Sequence, residues 1–534
     1  MKNIMNIQRR HLLKYAGITA AVASYPGFIV AKSQGLGNKP SAAFHADIEI
    51  KLTLKQIRTK ILTGPKTWIW KIDGKLLKGP KATLENHEES YLGPTLRLQK
   101  GQKVRIHLTN HLSSQSILHW HGMHVPADMD GNPMYAINKG ETYVYEFEVV
   151  NRAGSYWYHA HTHSYTGKQV YNGLAGLMLV SDDEEQMLKL PSGDYDVPLV
   201  IQDRTFDSKN QLVYLNHMMQ RMHGFLGEQI MVNGQADFVL PVASRAYRVR
   251  LLNGSNSRIY KLAWDDGTPM TVIGVDGGLL EQPEKLPYLM LAPAERREIW
   301  IDLSRRSVGT ELTMYSAAFT AGMQGMMGGG MMGGRRGRMM GGRGMMGGGM
   351  MNNNAIPLGS EYPVFKIRVT KKANANDQLP SRLSKIAPLR LKDAANADKP
   401  RTISLSMRHM SALLNGRSYK MNDVRSDEII PVNSLQLIEF DNDMHGMMSM
   451  PHPMHLHGEQ FQIVKRELNP GSQSAYKTVN AGFVDSGWHD TVMVMPGEKL
   501  TLLKPFNDFK GMFMYHCHNL EHEDLGMMRD FRIV

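Results

Sequence analysis

The stretch His516-Cys517-His518-Asn519-Leu520-Glu521-His522, followed by Met527, holds the only cysteine of the 534 residues. A lone cysteine forms no disulfide within its own chain, and three histidines lie within five residues of it. One thiolate, imidazoles and a weakly bound thioether are typical of a copper site that transfers electrons. The alternative is a free cysteine that packs as a small apolar side chain. The density of histidines favours the metal site.

The composition sets limits on what this stretch belongs to. A length of 534 residues indicates roughly three domains. The formal net charge is +12, but the basic residues are dispersed, so we expect no nucleic-acid partner. The 42% apolar content is ordinary, and no internal apolar run is long enough to span a bilayer. The outliers are 39 methionines and 22 histidines, and both residue types bind copper.

Residues 1–31 resemble an export signal. Arg9-Arg10 begins a basic region, and mostly apolar residues follow it up to Ala31. The paired arginines resemble a twin-arginine signal, and a Sec-type signal is the alternative. We therefore predict a periplasmic protein that is exported in the folded state, with no stable membrane insertion once the signal is removed.

After residue 45 the chain alternates apolar and polar residues over short segments, which predicts β-strands. Gly, Asn and Pro bound these segments, and long amphipathic helices are scarce. Three examples are Lys103–Leu108, Tyr143–Val149 and Leu174–Val180. We predict an all-β fold of half-buried antiparallel strands that pack as β-sandwiches.

A weak internal repeat divides the chain into three similar parts. Lys103–His111 (KVRIHLTNH) is echoed by Tyr247–Ser255 (YRVRLLNGS) and by Leu435–Asp443 (LQLIEFDND). Histidine motifs follow the first and the third segment but not the second, so we expect metal ligands only in the first and last domains. The predicted domains are residues 46–187, 193–371 and 400–534, and a surface segment, 372–399, connects the last two.

Four histidine clusters stand out in the sequence: His119/His121, His159/His161, His452/His455/His457 and His516/His518/His522. A His-x-His pair on a strand puts both imidazoles on the same face. Two such pairs from one domain, facing two from another, would surround a compact cluster of several metal ions. A single pair has a structural role about as often as a metal-binding one, but four clusters in this order favour metal binding.

These segments resemble the four copper-binding motifs of the multicopper oxidases: His-x-His-Gly, His-x-His, His-x-x-His-x-His and His-Cys-His-x-x-x-His-x-x-x-x-Met. Within that family the chain is most similar to the periplasmic cuprous oxidases of bacterial copper tolerance (the CueO type). Shared segments are His119-Trp120-His121-Gly122, Gly173-Leu174-Ala175-Gly176-Leu177, Asp276-Gly277-Gly278-Leu279-Leu280 and Leu520-Glu521-His522-Glu523-Asp524. The resemblance implies three cupredoxin-like domains with the Greek-key β-sandwich fold, and four copper ions.

The resemblance also implies a role for each ligand. The type 1 copper would be held by His452, Cys517 and His522, with Met527 as the axial ligand. The type 2 copper would take His119 and His455. The type 3 pair would take His121, His159, His161, His457, His516 and His518, whose division between the two ions stays open. Asp130 and Glu523 match carboxylates that relay protons to O2; the alternatives are a turn aspartate and a surface acid.

The choice of reductant turns on methionine. Residues 322–351 form a Met-, Gly- and Arg-rich insert in the second domain, and so much glycine predicts a flexible loop. Thioethers prefer Cu(I). Candidate Cu(I) sites are Met326, Met327, Met331 and Met332 in the insert and Met444, Met447, Met448 and Met450 before His452. The alternative for the insert is a linker, and proteins of the CueO type carry their Met-rich segment in the third domain instead.

The sequence therefore predicts an oxidase that couples Cu(I) oxidation to the reduction of O2 to water in periplasmic copper tolerance. A laccase-like oxidase of phenols or other small organic or metal reductants is the second hypothesis. A copper-sequestering protein without turnover is the third, and the cysteine flanked by histidine ligands argues against it. We expect a monomer, because the first and third domains of one chain already enclose the site.

Overall fold

β-Strands are the predominant regular secondary structure in the part of the chain that the structure describes. The computed structural model describes residues 38–534, apart from residue 217 and the ranges 323–354, 409–410 and 443–449. Within these residues the chain forms six β-sheets and five α-helices of four to six residues. The predicted all-β fold is therefore confirmed.

The first two sheets lie within the first third of the chain. Their strands are β1 (Ile48–Thr59), β2 (Thr67–Lys78), β3 (Leu84–Glu85), β4 (Thr95–Gln99), β5 (Lys103–Asn110), β6 (Leu118–His121), β7 (Thr142–Glu148), β8 (Gly154–Ala160) and β9 (Ala175–Ser181). The orders are β2-β1-β5-β7 and β3-β4-β9-β8-β6. Apolar side chains of both sheets, among them Leu52, Leu98 and Trp120, form one core.

The next two sheets come from the middle of the chain. Their strands are β10 (Asp196–Arg204), β11 (Gln229–Val232), β12 (Gln235–Ala236), β13 (Val239–Ser244), β14 (Ala246–Asn253), β15 (Tyr260–Trp264), β16 (Met270–Val275), β17 (Gly278–Leu286), β18 (Leu289–Leu291), β19 (Arg296–Asp302), β20 (Glu311–Ser316) and β21 (Tyr362–Lys372). The orders are β12-β11-β10-β14-β19-β16-β17 and β13-β21-β20-β15-β18. Val249 and Leu262 belong to the core between them.

The last two sheets have five strands each. Their strands are β22 (Arg401–Arg408), β23 (Ser411–Leu414), β24 (Ile429–Ile430), β25 (Ser434–Asp441), β26 (His452–Leu456), β27 (Gln462–Leu468), β28 (Thr491–Val494), β29 (Glu498–Phe506), β30 (Gly511–Cys517) and β31 (Met528–Ile533). The orders are β23-β22-β25-β29-β27 and β24-β31-β30-β26-β28. Phe440, Phe513 and Cys517 belong to their shared core.

The internal repeat has the same structural position in each pair of sheets. Most residues of its three segments lie in β5, β14 and β25. Each of these strands pairs in parallel with the first strand of its own pair of sheets, β1, β10 or β22. Each also has an antiparallel neighbour, β7, β19 or β29. Apart from Lys372, the last residue of β21, the strands of the three pairs of sheets fall within the three predicted domain ranges. The boundaries themselves and the connecting segment 372–399 stay predictions.

The expectation of antiparallel strands was incomplete, because each of the six sheets contains one parallel pair. The pairs are β1–β5, β4–β9, β10–β14, β13–β21, β22–β25 and β24–β31. Between β1 and β5 the chain passes through β3 and β4 of the other sheet, and this crossover returns β5 beside β1 in the same direction. Alternation of side chains predicts a strand and its buried face, but not the direction of its partner.

The strands that carry the clustered histidines are deeply buried. β5 alternates buried and partly exposed residues, as its sequence predicts. All residues of β6 and β8 are buried. β9 is buried on both faces because Leu177 and its neighbours pack against the middle pair of sheets, in one cluster with Leu252. The histidine-bearing strands therefore lie between the packed pairs of sheets and not at the surface.

The helices are short and lie between strands. They are α1 (Thr166–Tyr171), α2 (Asp183–Met187), α3 (Met218–His223), α4 (Gln473–Tyr476) and α5 (Leu520–Asp524). α5 begins after Asn519, whose side-chain oxygen accepts a hydrogen bond from the backbone N–H of His522 at 3.3 Å. Among the described residues there is no helix with the length and apolarity needed to cross a membrane.

The predicted Met-rich insert falls between β20 and β21, which pair with each other in antiparallel fashion. After the insert the chain returns to the sheet in β21, an eleven-residue strand. Of residues 322–351 the structure describes only Gly322, and the predicted signal, residues 1–31, also lies outside the described residues.

Candidate metal centre

Cys517 ends β30 with two imidazoles beside its sulfur. Its Sγ lies 3.4 Å from Nδ1 of His452 and 3.7 Å from Nδ1 of His522. His452 begins β26, which pairs with β30, and His522 lies in α5, directly after β30. All three residues are buried. Strand pairing and one helical turn thus bring a thiol and two imidazoles to the same point.

Two backbone hydrogen bonds fix Met527 next to this group. The N–H of Cys517 donates to the carbonyl of Met527 at 3.0 Å, and the N–H of Met527 donates to the carbonyl of His522 at 2.9 Å. Met527 is buried and belongs to the same apolar cluster as Cys517. The structure thus collects the four residues that the sequence analysis named for the type 1 copper.

His516 and His518 flank Cys517 but lie on the other face of its strand, since successive side chains of a strand alternate. Cys517 packs into the core of the last pair of sheets. The same alternation operates on β6, β8 and β26, where the residues between the histidines pack into the two cores. The imidazoles of eight histidines therefore meet between the first and the last pair of sheets: His119, His121, His159, His161, His455, His457, His516 and His518.

These imidazoles divide into smaller groups. Nε2 of His119 lies 3.3 Å from Nε2 of His455, which makes a pair. Nε2 of His159 lies 3.3 Å from Nδ1 of His121 and 3.4 Å from Nε2 of His518, which makes a first group of three. Each pair or group joins residues of the first domain to residues near the end of the chain.

The second group of three contains His161, His457 and His516. Nε2 of His516 lies 3.3 Å from Nε2 of His161 and 3.2 Å from Nε2 of His457. In each group of three the candidate ligand atoms lie within 4.8 Å of one another. The geometry therefore separates six imidazoles into two sets of three, a division that the sequence left open.

Hydrogen bonds fix the nitrogens that point away from these groups. Nδ1 of His119 donates to the carbonyl of Asp130, and Nδ1 of His455 donates to the carbonyl of Asp490, both at 2.7 Å. Nε2 of His121 donates to Oδ1 of Asp490 at 3.0 Å. Because carbonyl and carboxylate oxygens only accept, the proton lies on the outer nitrogen and the inner nitrogen keeps its lone pair.

This arrangement fits bound metal ions. In the pairs His119–His455 and His457–His516 both outer nitrogens are hydrogen-bonded, so two lone pairs face each other across 3.2–3.3 Å and repel unless a cation lies between them. Imidazole nitrogens suit copper, and a thiolate with two imidazoles and a thioether suits a copper site that transfers electrons. Two outer nitrogens, Nδ1 of His161 and Nδ1 of His518, have no hydrogen-bond partner among the described residues.

Asp130 lies directly behind two of the imidazoles. Its Oδ2 accepts a hydrogen bond from Nδ1 of His457 at 2.6 Å, and its Oδ1 lies 3.4 Å from Nδ1 of His119. Burial opposes ionisation of this carboxyl, but the adjacent His457 and His119 hold its pKa well below the usual range. Asp130 is thus an ionised, fully buried acceptor, and it directly follows the short 3₁₀ helix Ala127–Met129.

Glu523 is the second predicted carboxylate, and it is also buried. Its Oε2 lies 3.2 Å from Nδ1 of His516 and its Oε1 lies 3.9 Å from Nε2 of His161. Both imidazoles belong to the same group of three. The alternative of a surface acid is therefore wrong, because this carboxyl faces the histidines from inside the protein.

Burial controls the protonation of the group around Cys517. It lowers the pKa of His452 well below the ordinary value and lowers that of His522 to about 4. It also raises the pKa of the Cys517 thiol well above its ordinary value. The imidazoles are therefore neutral and ready to ligate, whereas the thiol loses its proton when a cation binds.

The sequence analysis missed Asp490 and Arg296, which lie behind the histidines. Oδ1 of Asp490 accepts from His121 and from Arg296, and Oδ2 accepts from Arg296 as well. Both side chains are buried. Arg296 begins β19, in the middle pair of sheets. A signal was present in Asp490-Thr491, two polar residues that lead into the apolar strand β28. For Arg296 the sequence has no such signal, because its partner lies 194 residues away.

Most of the candidate Cu(I) sites lie outside the described residues. These are Met326, Met327, Met331 and Met332 in the insert and Met444, Met447 and Met448 before His452. Met450 is described and is only 2% exposed, and its carbonyl accepts a hydrogen bond from the side chain of Asn442 at 2.9 Å. Met450 therefore offers no thioether to the surface in this conformation.

Comparisons with known proteins agree on one family. Two sequence models of the multicopper oxidases match residues 58–185 and 390–534. The chain is 30% identical over 458 residues to the multicopper oxidase mco of Staphylococcus aureus, which covers 86% of this chain and 85% of that protein. It is 28% identical to the cell division protein FtsP of Xenorhabdus nematophila, with 98% of each covered. The crystal structure of the McoA multicopper oxidase of Aquifex aeolicus is similar with a TM-score of 0.72 at 31% identity, covering 92% of this chain and 97% of that one.

Proposed function

The chain belongs to the multicopper oxidase family, and we propose that it couples the one-electron oxidation of Cu(I) to the four-electron reduction of O2 to water. One observation carries the proposal: Cys517 belongs to one group of ligands, while its neighbours His516 and His518 belong to two others. A protein that only sequesters copper needs no such connection. Similarity to a cell division protein extends over the whole chain, so the ligand set, and not the similarity, supports the activity.

We assign the copper ions according to these groups. The type 1 site would use His452, Cys517, His522 and Met527, and the type 2 site would use His119 and His455. One type 3 copper would take His121, His159 and His518, and the other would take His161, His457 and His516. Copper bound there would accept electrons singly and supply four of them to O2, which is the chemistry of the cofactor and not of the side chains.

The chain supplies the connection between these sites. From the sulfur of Cys517 to the imidazole of His516 or His518 the route consists only of covalent bonds between adjacent residues. β26 makes a second connection of this kind, because His452 faces the sulfur of Cys517 and His455 faces His119. The buried positions of all these residues exclude water from the route.

Two carboxylates are proposed to handle the protons that O2 reduction consumes. The low pKa of Asp130 keeps it ionised, so at Oδ2 it can only accept a proton, and it orients His457 at the same time. Glu523 is the proposed donor, since its Oε2 lies 3.2 Å from Nδ1 of His516. Each acid faces imidazoles assigned to the cluster that reduces O2.

Cu(I) is the proposed reductant because a bulky molecule has no direct access to the ligands of the type 1 site. His522 has no exposed surface, and its Nε2 donates to the backbone carbonyl of Met222 at 3.0 Å. An electron must therefore cross the protein layer around His522. Cu(I) bound to thioethers in that layer meets this requirement, and the sequence holds 39 methionines.

We further propose that the protein acts in the periplasm, exported through its Arg9-Arg10 segment, where it lowers the concentration of toxic Cu(I). A monomer is sufficient, since one chain supplies every residue assigned to the copper sites.

The test measures O2 uptake by the copper-loaded protein with Cu(I) and, separately, with 2,6-dimethoxyphenol. The control is Cys517→Ser, which retains all the histidine ligands but lacks the thiolate. We expect Cu(I)-driven uptake in the native protein and none above background in the variant. A copper-loaded protein that oxidises the phenol but not Cu(I) would replace the proposal with a laccase-like activity, and one that oxidises neither would indicate sequestration.

A second arm removes the insert, residues 322–351. If the insert captures Cu(I), its deletion lowers kcat/KM for Cu(I) and raises kcat/KM for the phenol. Unchanged values for both would show that the insert has no part in substrate capture.

A further inference from the structure

A cleft enters the last pair of sheets beside β24. Its volume is about 550 Å³, which lies within the range of small-molecule sites. Its lining includes Ile403 and Ile438 from one sheet and Leu456 and Phe531 from the other. β24 is the edge strand of its sheet and has only two residues, so it covers little of the space between the sheets. The cleft therefore reaches the core that the two sheets share.

The inner walls of this cleft are mostly apolar, and its mouth is polar. The walls include the buried rings of Phe506, Tyr515 and Phe531. Lys399 and Asp427, at the mouth, are exposed. Protein interiors leave few voids larger than a water molecule. An open cleft with apolar walls and a polar mouth is typical of a site for a small molecule with an apolar body.

Arg401 lies at the mouth with a charge that its hydrogen-bond partners do not balance. Its guanidinium donates to the side-chain oxygen of Gln436 at 2.8 Å and to the backbone carbonyls of Asp427 and Ile429. All three acceptors are neutral groups. Burial lowers the pKa of Arg401, while the nearby Asp427 raises it. A guanidinium has five N–H groups, so two of them remain for a further acceptor.

The charged residues of the cleft leave an excess of positive charge. The carboxylate of Glu428 is paired with Arg529, with Nη2 and Oε2 2.6 Å apart. The other charged residues of the lining are two cations, Lys399 and Arg401, and one acid, Asp427. The mouth of the cleft therefore favours an anionic group.

The cleft lies directly behind two strands that carry histidine ligands. Leu456 lies between His455 and His457 in β26, and it pairs with Tyr515, which precedes His516 in β30. Successive side chains of a strand alternate, so Leu456 and Tyr515 face the cleft and the imidazoles face the first pair of sheets. A molecule in the cleft would therefore contact the opposite face of the strands that position these ligands.

We infer that the cleft binds a small organic acid, whose carboxylate is held by Arg401 and whose hydrocarbon or aromatic body lies between the two sheets. The two remaining N–H groups of Arg401 suffice for the two oxygens of a carboxylate. This site is separate from the copper sites and does not depend on the proposed oxidation of Cu(I).

The test titrates the copper-loaded protein with 4-phenylbutyrate in the absence of Cu(I) and follows binding by calorimetry. 4-Phenylbutyramide has the same body without the charge, and acetate has the charge without the body. We expect one equivalent of 4-phenylbutyrate to bind, and both comparison compounds to bind more weakly. Acetate also measures how tightly a carboxylate binds directly to copper.

Two variants locate the bound acid. Arg401→Gln removes the charge and should weaken binding roughly 10–100-fold, as expected when hydrogen bonds to a charged group are lost. Ile438→Trp fills the cleft and should abolish binding. The matched control is Arg408→Gln, an exposed residue of the same strand as Arg401 that does not line the cleft. It should bind 4-phenylbutyrate as the native protein does. The blue absorption band and the Tm report whether each variant is folded and loaded with copper.

Photolabelling locates the site without any variant. 4-Benzoylbenzoate joins a carboxylate to a photoreactive aromatic body, and peptide mass spectrometry identifies the residues that it labels. We expect labels in β22, β25 or β31, and we expect an excess of 4-phenylbutyrate to suppress them.

Several results would overturn the inference. It is wrong if 4-phenylbutyrate shows no saturable binding, or if the amide or acetate binds as tightly. It is also wrong if Arg401→Gln and Ile438→Trp bind the acid as the native protein does, or if the labels lie only outside the cleft. Where a variant fails to fold, the labels on the native protein decide. None of these results bears on Cu(I) oxidation, which is tested by O2 uptake.

Discussion

Asp490→Asn should release copper from the group that contains His121. Oδ1 of Asp490 accepts a hydrogen bond from Nε2 of His121 at 3.0 Å, and this bond keeps the Nδ1 lone pair of His121 free for a metal. Asparagine has nearly the same shape but replaces one oxygen by an N–H donor. The imidazole then either keeps only the Thr491 hydroxyl, 3.0 Å from its Nε2, or changes its tautomer, which protonates the ligating nitrogen. Loss of such a partner typically weakens metal binding by roughly 10–100-fold.

The same substitution removes one of the two carboxylates that face Arg296, while Asp276 stays at 3.6 Å. Both side chains have no exposed surface. Removal of one partner from a buried ion pair costs about 3–5 kcal/mol. Arg296 also donates to the carbonyls of Asp276 and Ala294, at 3.0 and 3.1 Å, so we expect a loss near the lower limit. At about 2–4 °C per kcal/mol for a unit of 150–250 residues, the Tm of the copper-free protein falls by roughly 6–12 °C.

The assay compares copper per chain, the type 2 and type 3 spectroscopic signals, and the Tm of the copper-free protein. The control is Asp508→Asn, the same change at a His–Asp contact of 2.7 Å to His124 in which the Asp508 side chain is 54% exposed. We expect the control to keep its copper and its Tm. If Asp490→Asn also keeps its full copper content, the tautomer argument is refuted, and an unchanged Tm would refute the argument from charge.

Three further predictions concern other parts of the chain. Cys517→Ser should abolish the blue colour and turnover yet leave most of the copper bound to the histidine groups, and a variant that stays blue would contradict the assignment of the thiolate. Burial raises the pKa of Asp530 to about 6, above its unfolded value near 3.9, so the stability falls as the pH rises from about 4 to 6. Asp530→Asn should remove this pH dependence and stabilise the copper-free protein at pH 7.5 by up to about 3 kcal/mol. Denaturant unfolding of the native protein and the variant at pH 4.5 and 7.5 measures this difference. An equal pH dependence of stability in the native protein and the variant would contradict the prediction. Gly224→Ala should destabilise the protein by about 1–3 kcal/mol because the residue has a positive φ and no room for a Cβ. The matched control is Gly416→Ala, at a positive φ with open space around it, which tests backbone strain without the collision.

The sequence predicts the parts of the site that depend on local periodicity. A strand alternates its side chains, so His516 and His518 had to lie opposite Cys517, and the same rule applies to the His-x-His pairs of the first domain. The repeated segments likewise predict three equivalent strands, β5, β14 and β25, which occupy equivalent positions. These inferences need only a few consecutive residues and no knowledge of the tertiary contacts.

The parts that depend on distant contacts were not predictable. Arg296 reaches Asp490 across 194 residues, and Met222 covers His522 across 300 residues. Neither contact follows from any short motif, because each is made by packing of the middle sheets against the others. The parallel strand pairs escaped prediction for a related reason, since their direction is set by a crossover to another sheet.

Because the ligands are divided between the two ends of the chain, they are synthesised at different times. His119, His121, His159 and His161 are synthesised long before their partners, which begin at residue 452 and end with Met527. No group of ligands described above is complete in a nascent chain until its C-terminal part has been made and has folded against the first. A full set of bound copper ions would therefore indicate that a molecule has been translated through residue 527 and has folded with its two ligand-bearing parts in contact. Such a folding check suits a protein proposed to be exported only after folding.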